Sequence, residues 1–203
     1  LEQSSAIDQV LTPLMQELIA SDEDAVAELA MATMSAQARF VQAQRRMDLP
    51  LAELPAELFL DAIQCWRECA KEVEPKALDR AEQSLRGQFD ESIGRVGLLT
   101  RLVGKLAGGV RAALDLEHAG FALFVTALAR SSNQARELAI LSCHDRQAVR
   151  FALALRAAKL KPDEMVQQFL LIHRNLSLPE RVGAIAPAAA LTMLKGTAAG
   201  RVD

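Results

Sequence analysis

Tyrosine is absent from this 203-residue chain, tryptophan occurs once, and aromatic residues amount to 4%. Strand-favouring aromatic and β-branched residues are sparse, whereas Ala and Leu, the best helix formers, are abundant; this balance excludes a β-rich fold. Three cysteines, Cys65, Cys69 and Cys143, are too few and odd in number to form a disulfide framework. Long apolar runs are also missing. The longest, Ala119 to Ala129, is about half the ~20 residues needed to cross a bilayer. No basic start with an apolar run and small-residue cleavage site marks a signal peptide. These absences predict a cytoplasmic protein. The chain opens on Leu1 rather than Met, as a fragment of a longer protein would.

What is present predicts an all-α fold, a multi-helix bundle with short, stacked, solenoid-like helical hairpins toward the C-terminus. Apolar periodicity and breakers place helices near 5–19, 22–46, 55–73, 76–91, 92–107, 110–130, 134–142, 146–158, 162–174 and 179–194. Ser21 precedes three acids and reads as an N-cap at the positive end of a helix dipole. Pro55, Pro75, Pro162 and Pro179 each precede a helical pattern, with Glu57 and Glu164 in first turns. In the helix after Pro55, the residues Leu58, Phe59, Ala62, Ile63, Trp66, Cys69, Ala70 and Val73 share one face, predicted to be core. The stretches Ala127 to Leu141 and Leu155 to Phe169 align loosely as two hairpins about 28 residues apart.

Charge is unevenly distributed. Residues 1–91 carry 18 acids and 8 bases, and residues 92–203 carry 8 acids and 15 bases. This asymmetry suggests an acidic N-terminal lobe and a basic C-terminal lobe, with about 196–203 as a flexible tail. The lobes would attract one another within the fold or between subunits, or the basic one would meet an anionic partner.

The segment from Ser92 to Arg111 contains Arg95, Arg101, Lys105 and Arg111 and no acid, with Gly94, Gly97, Gly104 and Gly108 among apolar residues. These four basic residues are the candidate interaction surface. A membrane-surface helix, a phosphate-contacting helix and a glycine-enabled helix contact compete with an amphipathic core helix. The core reading is preferred, because few large aromatics occupy the apolar face. A sequence pI of about 5.7 and the lack of interleaved aromatics argue against nucleic acid.

Nothing else assembles a catalytic or metal centre. Cys65 and Cys69 are one helical turn apart but lack the second pair of a tetrahedral site, and a core placement is expected for them. Cys143, His144 and Asp145 are adjacent, so His144 is poorly placed to activate Cys143; Asp145 is expected to cap the next helix. Asp115 and His118 have the spacing of half a di-iron ligand set, without a second half. His173 stands alone, and neither a P-loop nor a dinucleotide glycine fingerprint is present. No cofactor, metal or catalytic residue is therefore assigned, and the balance is against an enzyme.

The run QARFVQAQRRMDLPLAELPAEL, within residues 16–59, resembles an uncharacterised alphaproteobacterial family known as domain of unknown function 2336. The stretch from Phe121 to Leu160 resembles the later helices of that family. The resemblance implies an all-helical bacterial cytoplasmic protein and carries over no chemistry. Arg39, Arg45, Arg46 and Met47 fall in the matching run, where Arg45 and Arg46 also suit a helix C-terminus. The functional expectation is a non-catalytic interaction module, an adaptor or regulator that binds a protein partner or itself. The alternative is a ligand-binding or sensory bundle that takes a small apolar molecule, with Met31, Met34 and Phe40 as an adaptable lining.

Overall fold

The computed structural model describes residues 10–70 and 72–199. Among these residues the fold is all-α, with ten helices and no strand. The helices are α1 (Pro13–Ile19), α2 (Asp24–Arg45), α3 (Ala56–Cys69), α4 (Pro75–Gln88), α5 (Arg95–Gly104), α6 (Leu116–Ser131), α7 (Arg136–Ser142), α8 (Ala148–Ala157), α9 (Pro162–Ile172) and α10 (Pro187–Ala199). Short 3-10 turns occur at Leu51–Glu53, Val110–Ala113, Asp145–Gln147 and Glu180–Val182. No described helix is long and apolar enough to cross a membrane.

Local chemistry explains several helix starts. Thr12 caps α1 by accepting a hydrogen bond from the Met15 N–H at 3.2 Å, and Asp115 caps α6 by accepting from the Glu117 N–H at 3.1 Å. Pro75 and Pro162 stand at first helical positions, where a missing N–H is harmless. Other boundaries differ from the sequence expectation. Glu23, not Ser21, is the N-cap of α2. The segment expected as one helix over 179–194 is a 3-10 turn followed by α10, because Pro187 begins a new helix at its own favoured position. Helix α10 continues through Ala199, so 196–199 are helical; residues 200–203 lie outside the described residues, as do 5–9 of the first expected helix. The expected helix over 110–130 breaks before Leu116 and kinks at Gly120, whose φ of 74° and ψ of 164° suit glycine alone.

The chain forms two compact units, and their division differs from the boundary at 91/92. One unit, Asp22–Leu102, is inserted in sequence between the two segments of the other, which runs up to Ser21 and from Val103 onward. The inserted unit contains 15 acids and 10 bases, leaving 11 and 13 for the terminal unit. Charge polarity between structural units is thus weaker than the sequence halves suggest, because Arg95 and Arg101 belong with the acidic stretch and Glu17 with the basic one.

In the terminal unit, α8 is the central element, packed against α6, α7, α9 and α10, while α1 packs on α6. Phe124, Phe151 and Phe169 fill the core with ring centroids 6.3 and 6.2 Å apart in succession. The pairs α6–α7 and α8–α9 are two hairpins of matching construction. At the first turn Gln134 N–H donates to the Ala129 carbonyl around Asn133 (φ 48°); at the second Leu160 N–H donates to the Leu155 carbonyl around Lys159 (φ 64°). Both are helix ends closed by a left-handed residue. The spacing is 26 residues, from Asn133 to Lys159, rather than about 28. The left-handed residue sets the register, and a lysine there carries no sequence signal for that conformation.

In the inserted unit, burial along α3 is narrower than its sequence stripe. Phe59 and Ile63 are buried, and Phe59 stacks on Phe89 at 4.0 Å, whereas Leu58, Cys69 and Val73 are exposed. A Cβ at Gly97 would lie 2.5 Å from the carbonyl oxygens of Glu91 and Ser92, so only glycine lets this turn close over α5. Gly97→Ala should lower stability by about 1–3 kcal/mol through overpacking. Gly87→Ala, with nothing within 4 Å of its new methyl, should raise it by about 0.4–1 kcal/mol. Urea unfolding of the two variants checks the opposite signs; an unchanged midpoint for Gly97→Ala would show that the turn relaxes freely.

Candidate functional site

The candidate site in the inserted unit is a groove of about 290 Å³ bounded by four elements. Helix α2 contributes Ala36, Arg39 and Phe40; the loop after it contributes Pro50, Ala52 and Glu53; the end of α4 contributes Gln88; the segment leading into α5 contributes Asp90, Ile93, Gly94 and Arg95. A Cβ at Gly94 would crowd only the nearby Glu91 carbonyl oxygen, at 3.3 Å, and would meet the Ala52 carbonyl across the groove wall at an ordinary 3.5 Å.

Beside this groove sits a nearly enclosed ion pair. Arg95 Nε donates to Glu53 Oε2 at 2.8 Å, and the two side chains are 9% and 13% exposed. Arg95 Nη1 donates to Gln37 Oε1 at 3.3 Å, and its guanidinium carbon lies 3.7 Å from the Phe40 ring centroid, a cation–π contact. As the first residue of α5, Arg95 places a cation at the positive end of the helix dipole, which Glu53 offsets. Two further charges line the groove without ionic partners among the described residues. The Arg39 side chain projects from α2 with no hydrogen-bond partner among the described residues, and Asp90 accepts hydrogen bonds from the Ser92 hydroxyl at 2.7 Å and the Ser92 N–H at 2.9 Å. Those bonds hold the Asp90 carboxyl below its usual pKa, fixing it as an anion.

The four basic residues singled out in the sequence are therefore dispersed in role. Arg95 is internal to the inserted unit. Arg111 donates to both Glu164 oxygens at 2.6 Å and to the Lys159 carbonyl at 3.2 Å. Arg101 and Lys105 are exposed and have no hydrogen-bond or ionic partner among the described residues. The Glu164 carboxyl lies below its usual pKa, first through the Lys161 N–H and also through Arg111.

The remaining sequence candidates lie apart from this groove among the described residues. No three His, Cys, Asp or Glu side chains there could hold a metal ion. Cys65 and Cys69, expected in the core, are exposed, because the buried face of α3 centres on Phe59 and Ile63. Burial pushes the Cys143 thiol up to about 12, so it is a neutral thiol near pH 7. Asp145 does not cap the next element; His144 does, and Asp145 Oδ1 instead meets His173 Nδ1 at 3.1 Å. His173 is wholly buried between Phe151 and Phe169, and its Nε2 is enclosed without a hydrogen-bond partner. This pair has no exposed imidazole nitrogen with which to exchange a proton with a substrate. Asp115 serves as a cap, and His118 Nε2 lies 3.0 Å from Glu17.

Comparison of the chain with family models, curated proteins and solved structures finds no match.

Proposed function

We propose that this chain is a helical interaction module whose docking surface is the mouth of the groove in the inserted unit. One observation carries the reading. The loop joining α2 to α3 exposes Met47 (94%), Leu49 (61%) and Leu51 (40%), and Ile93 on the groove wall is 61% exposed. Single exposed apolar residues are ordinary, but three in one short loop whose Pro50 and Ala52 line the groove, with Ile93 on the groove wall itself, are a feature of interaction sites. Met47 also has a left-handed backbone, φ 60°, where glycine would be less strained. An exposed methionine held at such a position contributes nothing to the core, which supports a role for its side chain at the surface. The groove is open and at the small end of the range for small-molecule pockets, which favours a surface contact over an enclosed apolar ligand.

The test is a triple variant, Met47→Gly, Leu49→Ser and Ile93→Ser. Thermal unfolding should be unchanged or slightly higher, since the three side chains are exposed and glycine relieves the left-handed residue. Affinity capture from a lysate, compared side by side with the original chain, should lose its stoichiometric partner. Equal capture by both proteins would remove this surface from consideration.

A further inference from the structure

We infer that the occupant of this groove is a second copy of the same chain, joined through a two-fold contact in which Arg39 of each copy meets Asp90 of the other. This rests on the interaction reading above and names its partner. The argument is charge complementarity. The groove carries four charged side chains, Arg39, Glu53, Asp90 and Arg95, and Glu53 and Arg95 satisfy one another. That leaves one cation and one anion, on separate walls, neither with an ionic partner among the described residues. A strongly acidic peptide would find Asp90 in its way, and a strongly basic one would find Arg39.

A surface with one free charge of each sign beside an apolar rim is self-complementary. In an isologous contact, residue i meets residue j of the other copy, and j meets i. Two such ion pairs would lie beside the exposed Ile93 of both copies, which association would remove from water. Asp90 is prepared for the contact, because Ser92 fixes its carboxylate in place and in its charged form. The contact differs from an attraction between acidic and basic lobes, because both partners in each pair come from the inserted unit, one from each copy.

The experiment is sedimentation velocity over a concentration series with charge-exchanged variants. The unaltered chain should show a monomer–dimer equilibrium. Arg39→Asp alone and Asp90→Lys alone each place like charges opposite one another, and should weaken dimerisation at least about tenfold. An equimolar mixture of the two should recover the dimer. In the mixed pair the two introduced charges, opposite in sign, face each other at one contact, and the unaltered Arg39 and Asp90 meet at the other. Asp90→Asn keeps the acceptor for Ser92 and should weaken association without disturbing the turn, which guards against a misfolded lysine variant. A chain that stays monomeric throughout, or a dimer indifferent to these changes, overturns the inference. If the chain is monomeric while the rim variant still loses a captured protein, the interaction reading survives and the occupant is a different protein.

Discussion

Phe151→Ala should remove about 3–5 kcal/mol of folding stability, the range for deleting a fully buried aromatic side chain. Phe151 has no exposed surface and stands on α8, the helix packed against four others in the terminal unit. Its ring lies 6.3 Å from Phe124, 6.2 Å from Phe169 and 5.3 Å from His173, so a single truncation loosens three ring contacts at once. Each aromatic pair adds about 0.5–1.5 kcal/mol beyond area burial. Whole domains are stable by only about 5–15 kcal/mol, so the variant should lie near the edge of folding. Equilibrium urea unfolding measures the loss, and Phe151→Leu, which keeps most of the volume, should fall well short of it. A loss under about 1 kcal/mol for the alanine variant would mean that neighbouring side chains collapse into the gap.

Glu53→Ala should be comparably damaging, about 3–5 kcal/mol, for an electrostatic reason. It leaves the nearly enclosed Arg95 guanidinium without its carboxylate, and an unpaired buried charge is costly. The Phe40 ring and Gln37 remain, yet neither carries a compensating negative charge. The double replacement Glu53→Leu with Arg95→Met should be far milder, since apolar side chains of similar size often substitute for a buried pair at little net change. The two urea midpoints together separate the alternatives. If the double variant is as unstable as Glu53→Ala, the loss comes from packing rather than from the stranded charge. Because the pair supports the groove wall, Glu53→Ala should also perturb the surface around Arg39 and Ile93, whereas changes confined to the exposed rim should not affect folding.

The electrostatic picture shows why a linear charge count is a weak guide. Cutting the chain at 91/92 assigns Arg95 to a basic lobe, but its partner Glu53 is 42 residues earlier, in the same unit. The structural division at 22 and 102 therefore gives more balanced units. Cys65 and Cys69 illustrate the same problem for burial. Helical periodicity places Cys69 on the apolar stripe, yet only a narrow part of that stripe is covered. Amphipathic pattern shows which side faces inward, whereas the width of the covered strip depends on what packs there.

The sequence by itself determined the helical character of the chain and the approximate place of most helices. Those features follow from interactions within a few residues: Ala and Leu propensity, proline at Pro75 and Pro162, and the apolar period. The tertiary structure alone decided which distant residues meet. It brought Glu53 and Gln37 to Arg95, and Asp145 to His173; it set the hairpin register at Asn133 and Lys159, and it left Arg39 and Asp90 beside one groove without ionic partners among the described residues. The physical reason is that such contacts are specified by the packing of whole helices against one another, and no local residue pattern records a partner tens of positions away.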